Sequence, residues 1–157
     1  MADPFRLASS TAKKTDTGRR ITFHVSDSVE FVRRFSSLEQ YDFMFIDGDH
    51  TFEGVTRDLL AYFPRLRKGG IILLHDTNPE HCGWNGPRRL IDGILQGNHG
   101  VSVEEIETQP NFGIAAIRKL TDGRLALSPR QSFDISSRLA VYRAKNWLRQ
   151  FRPPGSW

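Results

Sequence analysis

Apolar and polar positions along this chain predict a strand, a helix and a second strand in close succession. Tyr41 to Ile46 is almost wholly apolar, and so is Ile71 to Leu74; such runs suit parallel strands covered on both faces. Between them, Phe52, Val55, Leu59, Tyr62, Phe63 and Leu66 recur at helical spacing and form one stripe. Thr51 stands before the stripe as a cap, Glu53 and Asp58 lie toward its start, and Arg65, Arg67 and Lys68 close it, as the helix dipole favours. Pro64 tightens the last turn, and Gly69 or Gly70 can end the helix in the left-handed conformation. A strand, a crossover helix and a parallel strand bring both strand ends to the same side of a sheet, where open α/β sheets bind ligands. Those ends read Asp47-Gly48-Asp49-His50 and His75-Asp76-Thr77-Asn78.

The flanks are shorter elements. Ile21 to Val25 alternates apolar and polar residues, which predicts a short strand with His24 facing outward. Ser26-Asp27-Ser28 supplies caps for a helix that turns Val29, Val32 and Phe35 to one side. After Asn78 a loop runs through Pro79, Gly83 and Gly86, and Pro87 opens a helix with Leu90, Ile91, Ile94 and Leu95 inward. Val101–Glu107 and Phe112–Lys119 read as an antiparallel pair of strands. A loop with a turn at Asp122-Gly123 covers residues 121–130, and a helix over 135–151 stops at Pro153-Pro154-Gly155. The organisation is therefore a polar, mobile leader over 1–20, an α/β domain over 21–119, and a basic extension with a helix over 120–157.

Composition narrows the class. At 157 residues and 38% hydrophobic, the chain suits one domain with one core. It contains no run of about eighteen apolar residues, so no transmembrane segment is expected, and its first residues lack a secretory signal. Cys82 is a lone cysteine, which fits a reducing, cytoplasmic setting. The net charge of +4 is uneven: residues 21–117 hold 8 basic and 14 acidic residues, whereas residues 118–157 hold 9 and 2. A basic tail is most often a solvated face; an acidic partner or a membrane surface is the less common reading, and nucleic acid is not expected. Trp147, Phe151 and Trp157 among arginines suit a membrane surface, a partner helix or simple packing of a terminal helix.

The two polar clusters carry the candidate chemistry. Neighbouring parallel strands lie about 4.8 Å apart, so Asp47 and Asp76 can share a hard cation such as Mg²⁺, or else cap their adjacent loops. His50 and His75 suit a general base, the role histidine most often takes, or else hold the loops through Asp49 or Asp76. His50 is the stronger candidate, and Asp49 reads as its orienting partner. His81, Cys82 and Trp84 lie in the following loop, where a substrate would be recognised or a lid formed.

The segment Tyr41 to Val55, with Arg57-Asp58 and Lys68-Gly69-Gly70 leading into His75-Asp76, closely resembles the class I S-adenosylmethionine-dependent methyltransferases. Within them it is most similar to the bacterial "IDGDH" group of small-molecule O-methyltransferases and cephalosporin-hydroxylase-like proteins, over roughly residues 20–119. The resemblance implies a Rossmann-like methyltransferase sheet whose last strand is antiparallel, here incomplete and matching strands 3–7. It also implies S-adenosylmethionine as cofactor and a small-molecule hydroxyl as methyl acceptor. Asp27 and Asp47 take the family's cofactor-side positions, while Asp47, Asp76 and Thr77 match the ligands of its Mg²⁺-dependent members; Thr77 stands where those members often carry Asn. Gly18 is the sole glycine ahead of Gly48, so the family's glycine-rich cofactor loop has no counterpart. The chain thus reads as the C-terminal portion of a methyltransferase: an enzyme if a complete site forms, otherwise a non-catalytic domain. A portion of this kind exposes strand edges, so a homo-oligomer or strand-exchanged dimer is expected.

Overall fold

A computed structural model describes residues 21–34, 39–106 and 112–149. The elements in order are α1 (Ser28–Arg33), β1 (Tyr41–Ile46), α2 (Phe52–Tyr62), β2 (Leu66–His75), α3 (Pro79–Cys82), α4 (Gly86–Leu90), β3 (Val101–Ile106), β4 (Ile114–Lys119) and α5 (Pro129–Arg149). One four-stranded sheet runs in the order β1-β2-β4-β3. β1 and β2 are parallel, with Met44 opposite Ile72 and Ile46 opposite Leu74. β4 inserts between β2 and β3 and is antiparallel to both. The predicted strand–helix–strand unit and the antiparallel final pair are both present, in a mixed α/β sheet of four strands among the described residues.

The crossover helix is shorter than its apolar stripe implies. The Thr51 hydroxyl accepts the Gly54 N–H at 3.0 Å, and α2 ends at Tyr62. Pro64 then sits in a 3₁₀ turn over Phe63–Arg65, and Leu66 already begins β2. A proline lacks the N–H that the next helical turn needs, so the tighter turn ends the helix before Arg67 and Lys68. Gly69 does take a left-handed φ of +84°, but as an irregularity inside β2: Tyr41 pairs with Leu66 and Phe43 with Ile71, three residues out of step.

One face of the sheet carries the core. Phe52, Val55, Leu59, Phe63, Leu66, Ile72, Leu74, Leu90, Ile91, Ile94, Leu95, Ala115 and Ile117 form one buried cluster, joined by Leu125 and Ile135 from beyond the last strand. The four inward residues expected after Pro87 are all in it, though beyond Leu90 the helix widens into a π turn over Ile91–Leu95. The opposite face is open: Phe43 is 57% and Phe45 52% exposed. This corrects the expectation that β1 is covered on both faces; among the described residues the helices lie on one side of it. The expected strand at Ile21–Val25 also does not form. A strand exists only through a ladder partner, and among the described residues none pairs with this segment, leaving Val25 83% exposed. Phe35 and the leader lie outside the described residues.

Candidate functional site

The site is built at the carboxyl ends of β1 and β2. Parallel pairing brings Asp47, just past Ile46, beside His75 and Asp76 at the end of β2. Asp76 adopts φ +57°, a left-handed conformation uncommon for any residue but glycine, asparagine or aspartate, and its side chain is 13% exposed. His50 returns toward these carboxylates from the loop ahead of α2. Its Nε2 lies 2.7 Å from Asp76 Oδ2 and 3.4 Å from Asp47 Oδ1. Ligand atoms of Asp47, His50 and Asp76 all lie within 4.8 Å of one another.

His75 completes the group from its other side. Its Nδ1 lies 3.0 Å from Asp76 Oδ1 and 3.2 Å from Asp47 Oδ1, yet it is buried and makes no well-directed hydrogen bond. Distance without direction leaves a buried polar atom facing two carboxylates, a situation that costs free energy. The ring is fixed by aromatic neighbours, Phe45 at 6.0 Å and Phe112 at 6.5 Å.

The loop around His50 is held by its neighbours rather than by the cluster itself. Asp49 accepts the Thr51 N–H at 2.8 Å and the Tyr142 hydroxyl of α5. Burial tends to raise the Asp49 pKa, but the bonds from Tyr142 and Thr51 outweigh it and hold the carboxyl below its usual range. Asp49 thus ties the loop to α5, while the carboxylates that face the His50 ring are Asp76 and Asp47. A Cβ on Gly86 would collide with the His50 carbonyl, so α4 approaches the loop by direct backbone contact. Trp84 stacks over the His50 imidazole with ring centres 5.8 Å apart. Cys82 Sγ reaches the carbonyls of Asp76 at 3.5 Å and Trp84 at 3.3 Å. The loop after β2 thus folds over the cluster through the short helix α3, which Asn78 caps.

The remaining predicted residues stand apart. Thr77 is buried, its N–H is bonded to the Gly113 carbonyl, and a Cβ at Gly113 would come within 2.6 Å of its hydroxyl oxygen. Its hydroxyl is thus tucked against β4. Asp27 caps α1 by accepting the Val29 and Glu30 N–H groups at 3.0 Å, and it pairs with Arg57. Burial works to raise the Asp27 pKa, yet the Arg57 bond and the helix N–H groups prevail and lower it. A cavity of about 540 Å³ follows the free edge of β1 from Ser28 and Phe31, past Tyr41, Phe43 and Phe45, to Asp47 and Gly48. Its apolar walls and size suit a small organic ligand, whose planar part would lie on the aromatic rings. Sequence reasoning missed Tyr142, which lies far from the motifs in the chain; it placed Trp84 in the loop after Asp76 but did not foresee its stack on His50.

Residues 2–77 match the methyltransferase-domain family. The matched segment covers just under half of the chain and includes both polar clusters. Solved O-methyltransferases share its fold: a Klebsiella pneumoniae protein assigned to that class is 14% identical, with a TM-score of 0.63 over 74% of this chain and 57% of the other. TomG of Streptomyces achromogenes, involved in tomaymycin synthesis and solved with S-adenosylmethionine, is 15% identical, with a TM-score of 0.59 over 74% and 57%. A Bacillus cereus O-methyltransferase in complex with S-adenosylhomocysteine is 18% identical, with a TM-score of 0.57 over 74% and 58%. The chain therefore spans less than three-fifths of the length of these structures. No curated protein matches the sequence. No helix among the described residues is long and apolar enough to cross a membrane.

Proposed function

We propose that this domain supplies the acceptor-binding end of an S-adenosylmethionine-dependent O-methyltransferase that acts on a small-molecule hydroxyl. The observation that carries this reading is the convergence of Asp47, His50 and Asp76 within 4.8 Å at the carboxyl ends of two parallel strands. His50 gives Nε2 to Asp76, so the neutral ring carries its proton there and presents Nδ1 as the basic atom. Methyl transfer to an oxygen releases that oxygen's proton; Nδ1 accepts it, and Asp76 stabilises the imidazolium that forms. Trp84 screens the ring from water on one face. The cavity beside β1 leads to Asp47 and is the natural berth for the cofactor, with Asp27 near its Ser28 end.

Asp47 and Asp76 form a pair of carboxylates suited to a divalent cation, and the buried His75 Nδ1, facing both without a directed hydrogen bond, supports that reading. Asp47 and Asp76, with His75 beside them, would hold Mg²⁺, while the His50 ring stays hydrogen-bonded to Asp76. When bound, such an ion lowers the pKa of an acceptor hydroxyl. Thr77 would support the cluster through the backbone rather than as a direct ligand.

A second reading has its own observation: the exposed Phe43 and Phe45 on a strand that, among the described residues, is paired on one edge only. It makes the domain a self-associating or partner-binding unit, in a cytoplasmic setting, whose cofactor site is completed by another chain. Calorimetric titration with S-adenosylhomocysteine, with and without Mg²⁺, separates the two. Micromolar binding that Asp47→Asn weakens supports the enzyme; no heat and no shift in melting temperature would sink activity of this chain by itself.

A further inference from the structure

The outer face of α5 takes no part in the site. At about 100° per residue, Ile135, Leu139 and Tyr142 fall on one side of this helix, where they are buried or half-buried against the domain. Phe133, Ala140, Val141, Ala144 and Leu148 fall on roughly the opposite side, and all are exposed. Phe133 is 77%, Val141 54% and Leu148 58% exposed, and Trp147, at 58%, borders the same stripe. Basic residues stand at its margins: Arg143 on one side, Lys145 and Arg138 on the other, with Arg130 in the first turn. A helix packed on a core needs one apolar face; α5 has a second, along a helix about 30 Å long.

Charge decides what fits this face. The α5 sequence holds Arg130, Arg138, Arg143, Lys145 and Arg149 against a single acidic residue, Asp134. A second copy of the helix would bring like charges together, so self-pairing here is disfavoured. An anionic lipid surface satisfies both parts of the pattern at once. Bulky apolar side chains enter the boundary between headgroups and acyl chains, while arginine and lysine stems reach back to the phosphates. We propose that α5 docks this protein flat on an anionic bilayer through Phe133, Val141 and Leu148, with Arg143 and Lys145 meeting the lipid phosphates. The packed side of α5 continues to hold Asp49 through Tyr142, so docking needs no rearrangement of the site.

Vesicle flotation of the full chain tests this independently of any methyltransferase activity. Vesicles of phosphatidylcholine with roughly one-third phosphatidylglycerol should carry the protein, phosphatidylcholine alone should not, and added salt should release it. The triple variant Phe133→Ser, Val141→Ser, Leu148→Ser should lose about tenfold in bound fraction, and Arg143→Glu with Lys145→Glu should do the same. Both variants alter exposed side chains, so circular dichroism and melting temperature should match the parent. Equal flotation of the triple variant would overturn the proposal, as would a parent chain that ignores anionic vesicles. So would stripe-dependent binding to soluble polyglutamate without vesicle binding, which would point to an acidic protein partner. Light scattering that shows the stripe variant alone dissociating an oligomer would equally overturn it, in favour of a self-contact.

Discussion

At the scale of single residues, two side chains outside the motifs tie distant segments together, one at the site and one in the core. Tyr142 gives its hydroxyl to Asp49 from α5, and the Asp49 pKa is lowered by that bond against the effect of burial. Tyr142→Phe removes a hydrogen bond to a charged acceptor and should cost about 1 kcal/mol at pH 7. The sign of the pH dependence follows from the lowered pKa. The contribution is present above the unfolded value of 3.8 and fades as pH falls through the folded value, so parent and variant melting curves should converge in acid. Lys119 is the second case. It is 2% exposed, sits over the Phe63 ring, and its ammonium donates to the carbonyls of Phe63 at 2.9 Å and Leu66 at 2.8 Å. These carbonyls belong to the first residue of the 3₁₀ turn and the first of β2, and that of Phe63 also accepts the Leu66 N–H. Lys119→Met keeps the apolar stem but takes one donor from each carbonyl, at about 1–3 kcal/mol in all; chemical denaturation would measure the loss.

At the scale of elements, what the sequence revealed depended on whether the forces were local. The β1–α2–β2 unit was legible because the apolar stripe, the Thr51 cap and the two polar strand ends each arise within a few residues. The helix end was not, because Pro64 and the demand of β2 for Leu66 overrode a stripe that continued through them. The start of α5 was misread as loop although its signal was present. Ser128 and Gln131 form a reciprocal capping box, Gln131 N–H to Ser128 Oγ at 3.2 Å and Ser128 N–H to Gln131 Oε1 at 2.9 Å, with Pro129 in the first helical position. Ile21–Val25 shows the opposite failure: its alternation is that of a strand, but pairing is non-local and its partner is not among the described residues. The Asp47–His50–Asp76 cluster could be anticipated because parallel topology fixes which ends meet; the Trp84 stack could not, since it depends on how a loop returns. Gly113 links this scale to the site. It combines φ +82° with contact against Thr77 and Asn78, so Gly113→Ala strains the backbone and displaces the segment after Asp76. A loss of about 2 kcal/mol in unfolding free energy is expected, with weaker Mg²⁺ binding measured by calorimetry.

At the scale of the whole molecule, the sheet is covered on one face and open on the other among the described residues, and the open face borders the cavity proposed above for the cofactor. Phe43 and Phe45 project from β1 on the face away from the core, and they also line the cavity of about 540 Å³ that ends at Asp47. Exposed aromatic rings on a strand with one unpaired edge favour addition of another strand, because the ladder gains hydrogen bonds while the rings leave water. If a second copy supplies that strand, the cavity gains a wall that one chain lacks, and cofactor affinity must then rise with protein concentration. Light scattering over a dilution series should show a dimer that dissociates on dilution, and S-adenosylhomocysteine titration over the same series should show affinity falling in parallel. Phe43→Glu places a charge on the edge strand and should abolish both, while the buried residues of the opposite face keep the monomer folded. A chain that stays monomeric at every concentration yet binds the cofactor analogue unchanged would break this link. The open face would then be surface, and the cavity would be complete within one molecule.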